Sequence, residues 1–426
     1  MERFVRVLRD SAKPYLFLIL LGIVLGRFAQ YLWQYVWPSI PVIFGQAPEI
    51  YVKAFLTLAA AGLWLFYRGV RTRQPLLIAF LITLMVGWVV LMVIAKAHVD
   101  PLTYDTVLYV PVLLALLFKT PTVADLKAGL RFVSWVITVI LVSTRAAEML
   151  GWIPMVDVGE KILAFEKSSY WLPFANTLGP EGRWPGPMGH NAMTGNAGAM
   201  LVIVAVGLKG RSRWVFGTVG VLTLLLTGSR GSQIAAVAGI LAMVILGDNA
   251  ITRRFGRKWL LIALGSLAAV ALALVLIRNP NLTGRTKYWS LATEVWQSSP
   301  LFGAGASGMA DSPLAIAGSN AHNLLFDALV KAGLIGAAFL LLAVGLAVII
   351  AWRASSRGSA LAAGLLTTYL VIGLAESDQY WLSMTMPWMW LVLAIMLGGR
   401  QLEEHSSASA AVKSEHLRAA APVEAP

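Results

Sequence analysis

The chain contains no cysteine, which removes disulfides, thiolate nucleophiles and cysteine-ligated zinc or iron–sulfur centres together. Charge is scarce as well: 13% of the 426 residues are Asp, Glu, Lys or Arg, against 58% hydrophobic, and the mean hydropathy is +0.73. A soluble chain would carry about a quarter charged residues, so this composition places the protein in a membrane. Acids are the scarcer sign, 21 against 34 basic residues, and the resulting net charge of +13 would raise nucleic acid as a partner if the chain were soluble. There are five histidines, of which His405 and His416 fall in a polar tail. No His-x-x-His or Asp-x-Asp spacing offers a metal site. Chemistry is left to His98, His190 and His322, to acids, arginines, hydroxyls and the backbone.

Long apolar runs are abundant. A transmembrane helix needs about 20 apolar residues, and runs of that kind lie near 14–36, 51–68, 75–96, 103–118, 126–149, 191–208, 214–228, 232–247, 259–277, 323–351, 359–375 and 383–398. The expected fold is an all-α polytopic integral membrane protein of about twelve transmembrane helices. The first run ends in Tyr31, Trp33, Tyr35 and Trp37 with no small-residue cleavage site, so it reads as a span and not as a cleaved signal.

Lysine and arginine in short connections stay cytoplasmic. Here they fall on alternate connections: Arg3 to Lys13, Arg68 to Arg73, Lys119 to Arg131, Lys209 to Arg213, Arg253 to Lys258, Arg353 and Arg357, and the tail. Both termini are therefore expected in the cytoplasm, and the excess positive charge is a topology signal that says nothing of nucleic acid. Two long connections, 150–190 and 278–322, face outward. Residues 1–400 form the membrane domain, and 401–426, rich in Ser, Ala and Glu, read as a disordered cytoplasmic tail. No internal repeat and no pair of Gly/Pro-broken helices marks the two halves, which counts against a transporter of inverted-repeat type.

The outward residues fall into a few clusters. His322 lies in SNAHNLLFDALVKAGLIG, where Ser319 or Asn320 reads as an N-cap. In the first turn of that helix the positive end of the dipole would keep its ring neutral and able to accept a proton. The bland alternative is a capping or interfacial histidine. Arg230 sits in LTGSRGSQIA, a Gly-Ser-Arg-Gly-Ser turn that starts a helix and suits a phosphate. The alternative is an arginine snorkelling to lipid headgroups. From Lys287, Tyr288, Leu291, Val295 and Trp296 recur at helical spacing, which predicts an amphipathic helix at the membrane surface with Trp289 among its aromatics. Arg183 and His190 lie in GRWPGPMGHNAMTGN, whose Pro and Gly residues fix a loop. Within the spans, Arg27 has no obvious local partner, while Arg145 with Glu148 and Asp327 with Lys331 share helix faces and can neutralise one another. Glu376 and Asp378, in ESDQYW, could orient a histidine or bind a sugar hydroxyl.

The ordered set Gly-Ser-Arg-Gly at 228–231, Gly-Arg-x-x-Tyr-Trp at 284–289, Ser-Pro-Leu-Phe-Gly-Ala-Gly at 299–305, Ala-His-Asn-Leu-Leu at 321–325 and Gly-Leu-Ile-Gly at 333–336 resembles the O-antigen ligase and polymerase superfamily. With one large outward loop between the ninth and tenth spans, it is most similar to the WaaL-type ligases. The resemblance implies a GT-C-like glycosyltransferase of the bacterial inner membrane with a periplasmic active site, needing no metal, nucleotide or other cofactor. Such an enzyme moves a finished glycan from undecaprenyl diphosphate to a sugar hydroxyl on lipid A–core. It implies His322 as the catalytic residue and Arg230 and Arg285 on the donor diphosphate. Arg183 and Lys287 join that donor set as nearby cations, and His190, Glu376, Asp378, Tyr288 and Trp289 are supporting candidates. A family acid fits either Glu376 or Asp378.

Independent chemistry agrees with these roles. Without a metal, guanidinium groups are the donors able to grip a departing diphosphate bidentately, and an attacking hydroxyl must lose a proton to a base. Three alternatives stay open. They are an O-antigen polymerase, a protein-targeting oligosaccharyltransferase of the same superfamily, and a transporter or flippase for a lipid-linked anion.

Overall fold

The structure, a computed structural model, describes residues 11–35, 55–56, 59–60, 64, 67, 72–94, 112–152, 184, 186–188, 191–247, 285–305, 312, 323–356, 360–375 and 386–419. Among these every regular element is helical. In chain order they are α1 (Lys13–Tyr35), α2 (Pro75–Ile94), α3 (Val123–Met149), a single 3-10 turn (Gly186–Met188), α4 (Asn191–Gly207) and α5 (Ser212–Thr227). There follow α6 (Arg230–Leu246), α7 (Arg285–Ser298), α8 (Leu324–Ser355), α9 (Leu361–Ala375) and α10 (Met386–Ala419). Two of them, α3 and α8, are long and apolar enough to cross a membrane, and α4, α5, α6 and α9 are shorter apolar helices. The expected range 259–277 lies outside the described residues, and 51–68 and 103–118 are described only in part.

The apolar residues are not all inside. Val139 and Val142 of α3, Ile234 and Val237 of α6, and Leu341 and Leu342 of α8 are exposed, an arrangement that lipid rewards and water does not. The chain is a helical membrane protein.

Helix α4 forms the centre, buried without a break from Thr194 to Ala205. Its Ala- and Gly-rich face lets neighbours approach closely. A Cβ on Gly198 would stand 3.0 Å from the carbonyl oxygen of Gly220 in α5, and one on Gly220 would stand 2.8 Å from that of Gly198. Helix α9 packs antiparallel to α6, since Thr368 donates to the Ala235 carbonyl at 3.2 Å while Gly364 meets Met243.

Polar contacts concentrate at the two ends of the bundle. At one end Thr122 and Asp125 form a capping box on α3, and Asp125 also accepts from Ser11 Oγ at 2.9 Å, joining the start of α1. There too Glu403 accepts from Thr72 Oγ1 (3.1 Å) and the Arg73 N–H (2.8 Å) and pairs with Arg400. The opposite end gathers the end of α3, the 3-10 turn, the start of α4, the end of α5 and the start of α6. It also holds the end of α9 and the start of α8, where Asn323 donates to the Leu374 carbonyl at 3.2 Å.

Two sequence expectations need correction. Helix α10 continues through Ala419 where disorder was expected beyond residue 400, because the tail's many Ala, Glu, Lys and Arg residues are strong helix formers. The tenth span is not a continuous helix. It breaks at Gly333 (φ 62°, ψ −162°).

Candidate active site at one end of the bundle

Helix α5 ends at Thr227. Gly228 follows in the left-handed region (φ 56°, ψ 18°), Ser229 is extended, and Arg230 is the first residue of α6. A serine at an N-cap ordinarily turns its hydroxyl to the first-turn N–H groups. Ser229 does not. Its Oγ lies 2.7 Å from Ser232 Oγ, and Ser232 donates to Asn196 Oδ1 at 2.8 Å, so the two hydroxyls form a chain directed into α4. Gly195 makes room for that chain: a Cβ there would sit 2.8 Å from both Ser229 Cβ and Ser232 Oγ. The turn is therefore fixed from beneath by buried hydrogen bonds, and the cap hydroxyl does not occupy the helix start on which the half-buried Arg230 stands.

A second anchor comes from the loop before α4. The Trp184 N–H donates to the Leu226 carbonyl at 2.9 Å, tying that loop to the end of α5. Its indole Nε1 donates to Glu148 Oε2 at 2.7 Å, and Arg145 reaches the same oxygen at 3.2 Å while its guanidinium lies 5.9 Å from the indole ring. The pairing of Arg145 with Glu148 expected from their spacing is present, and it also holds Trp184, which the sequence did not reveal.

The third part is the pair α7 and α8. The expected helix from Lys287 exists, and its apolar face packs against α8. Tyr288, Leu291, Ala292, Val295 and Trp296 pack with Phe326 and Val330 of α8, and Trp289 stacks on Phe326 with ring centroids 5.6 Å apart at 15°. Lys287 is exposed on the first turn and Arg285 opens the helix. Because Trp289 meets Phe326 while Pro300, just past the end of α7, meets Leu334, the two helices run parallel, so their N-termini point to the same end. The starts of α6, α7 and α8 then face one end of the bundle, where three helix dipoles and the basic residues of α6 and α7 favour an anion.

The N-cap of α8 is Asn323, whose Oδ1 accepts from the N–H groups of Leu325 and Phe326 at 3.0 and 3.2 Å. It replaces the expected Ser319 or Asn320, and the helix starts two residues after His322. Asp327 and Lys331 form the expected i,i+4 pair at 2.9 Å. His322 lies outside the described residues, as do Arg183, His190, Glu376 and Asp378.

Sequence reasoning missed the role of the Ser299–Gly305 turn at the C-terminal end of α7. This turn inserts its backbone into the break in α8: Ala304 N–H donates to the Val330 carbonyl (2.7 Å), and the Leu334 and Ile335 N–H groups donate to the carbonyls of Pro300 (2.8 Å) and Leu301 (3.2 Å). Glycines at both 303 and 333 were the available signal.

Residues 214–341 match the family model described as O-antigen ligase. Over this stretch, less than half of its length, the chain is similar to the O-antigen ligase family. The matched stretch runs from α5 to the middle of α8 and contains Arg230, Arg285, His322 and both halves of the interlocked turn. That likeness implies a glycosyltransferase-like activity in O-antigen assembly. No curated protein matches the chain.

Proposed function

We propose that the protein is an O-antigen ligase of the inner membrane. It transfers a glycan from undecaprenyl diphosphate to a sugar hydroxyl of lipid A–core at the periplasmic end of a twelve-span, GT-C-like bundle whose termini are both cytoplasmic. The observation that supports this most is the Gly228–Arg230 turn, a basic residue heading a helix whose cap hydroxyl is engaged elsewhere, which is a built receptor for phosphate oxygens. Arg230 and Arg285 hold the diphosphate, with Lys287 and Arg183 adding positive potential. The acceptor oxygen attacks the anomeric carbon as its proton passes to His322. The bond from that carbon to the diphosphate oxygen breaks on the opposite face, so the configuration inverts and undecaprenyl diphosphate leaves stabilised by the arginines. Glu376 or Asp378, with His190, Tyr288 and Trp289, supports the histidine and the sugar. No metal or nucleotide takes part in the scheme.

The test incubates purified protein with undecaprenyl-diphosphate glycan and lipid A–core, without metal or ATP. The expected result is glycosylated lipid A–core. Longer lipid-linked glycans formed from donor alone would replace the ligase with a polymerase, glycan on a protein acceptor with an oligosaccharyltransferase, and donor flipping in vesicles without transfer with a transporter. His322→Ala should retain donor binding and lose transfer; normal transfer by that variant would remove the general-base role.

A further inference from the structure

The Ser299–Gly305 turn and the break in α8 are complementary. Gly333 has φ 62°, and a Cβ there would lie 2.3 Å from the carbonyl carbon and oxygen of Leu301 and 2.5 Å from the Phe302 nitrogen. Gly303 has φ 73°, and a Cβ there would lie 2.4 Å from the Ala332 nitrogen and 2.5 Å from the Lys331 carbonyl carbon. Each glycine occupies the space beside the backbone of the other segment, and each has a backbone angle that L side chains rarely adopt. Three intersegment backbone bonds complete the joint, and within the turn's own segment the Trp296 indole donates to the Pro300 carbonyl at 3.0 Å. An ordinary helix kink would leave unsatisfied carbonyl and N–H groups within the bilayer. Here the turn supplies partners for Val330, Leu334 and Ile335.

The consequence reaches the far ends of both helices. From the joint, α7 and the first part of α8 run back side by side through a shared apolar cluster and the Trp289–Phe326 stack to the N-terminus of α7 at Arg285 and the cap of α8 at Asn323. We propose that Gly303 and Gly333 are positioning residues, a reciprocal backbone joint that fixes the start of α7, with its diphosphate arginine, relative to the start of α8, which lies next to the base in the chain. This rests on the proposed ligase activity, since it assigns the joint the task of aligning donor and base.

In Gly303→Ala and Gly333→Ala the opposing backbone must retreat by roughly 1 Å to reach ordinary contact distance, and misplacements of that size cost on the order of tenfold to a hundredfold in turnover. Gly345→Ala, in the same helix but facing open space, is the control. The cysteine-free chain allows spin labels at Ser290→Cys and Leu325→Cys, both exposed, to report the separation of α7 and α8. Expected are a single narrow separation in the parent and in Gly345→Ala, and a shifted or broadened one in folded Gly303→Ala and Gly333→Ala. Turnover per folded molecule should fall at least about tenfold in these two variants, with a raised donor KM. A purely structural role would lower the folded fraction and leave KM and the separation unchanged, which overturns the proposal. Should neither glycine variant fold, the parent decides: a broad or multiple distribution of label separations in it overturns the joint. If the parent transfers no glycan at all, the ligase reading fails, and the label separation still tests the joint by itself.

Discussion

The Trp184–Glu148 hydrogen bond is where the loop before α4 is tied to α3, and a double-mutant cycle measures how strongly. Both groups are buried, with Trp184 at 6% and Glu148 at 5% of their full exposure, and the contact is short at 2.7 Å. Interhelical hydrogen bonds in membrane proteins couple by about 0.6 kcal/mol on average, with a maximum near 1.7. A carboxylate acceptor raises a bond above the neutral average, to about 1.5–3 kcal/mol in soluble proteins. The overlap of these ranges sets the expected coupling at about 1.5 kcal/mol. Trp184→Phe removes the donor and keeps most of the ring, while Glu148→Met removes the acceptor and leaves an indole N–H to be satisfied. Each single variant should cost about 2–3 kcal/mol, and the double variant should cost less than their sum by the coupling. The assay is reversible unfolding of the purified protein in mixed micelles, followed by far-UV circular dichroism. Additivity of the two substitutions within about 0.5 kcal/mol would refute the reasoning, because independent sites add to that precision.

Three further outcomes concern the site and its supports. Gly195→Ala should be close to neutral for stability, since a helical Ala gains about 1 kcal/mol over Gly while overpacking costs about 1–3 kcal/mol. It should still raise the donor KM, because the added Cβ displaces the Ser229–Ser232 chain under Arg230; a parental KM measured in the transfer assay would contradict this. Replacing Arg230 by Lys keeps the charge and loses the bidentate fork, so donor affinity should fall, and replacement by Ala should lower it further; equal donor binding by parent and both variants would remove Arg230 from the diphosphate site. Lys331→Met should destabilise more than the double variant Lys331→Met/Asp327→Leu, because the single change leaves the buried Asp327 carboxylate without its lysine, a cost of about 3–5 kcal/mol when a buried pair is broken. The order of the two melting midpoints checks it.

How much was legible in the sequence depended on the range of each interaction. The helical character and the i,i+3 and i,i+4 pairs Arg145–Glu148 and Asp327–Lys331 depend on neighbours within one turn, so spacing alone exposed them. Arg230 at a helix start was legible for the same reason, since Gly228 and Ser229 precede it directly. The partner of Glu148 was not, because Trp184 is brought to it by the backbone bond to Leu226 and by the packing of α4, neither of which leaves a local pattern. The joint at Gly333 was hidden for a different reason. An apolar run that continues through a glycine looks the same whether the helix is whole or broken, and the break exists because a segment some thirty residues earlier supplies the missing partners. The cap at Asn323 was misplaced by a few residues, since Ser319, Asn320 and Asn323 can all cap and only the observed bonds to Leu325 and Phe326 select one.

Helix α10 has 34 residues, roughly 50 Å at 1.5 Å per residue, against about 30 Å of hydrocarbon. A rod of polar helix therefore stands off the bundle, and its foot is held by Glu403 across the segment that leads into α2. That clasp joins residues 72 and 403, so a segment made early waits for one made far later in the chain before this end of the bundle can close. A chain truncated before Glu403 would present the start of α2 with two unclaimed donors, so this end of the bundle stays open until residue 403 has been made.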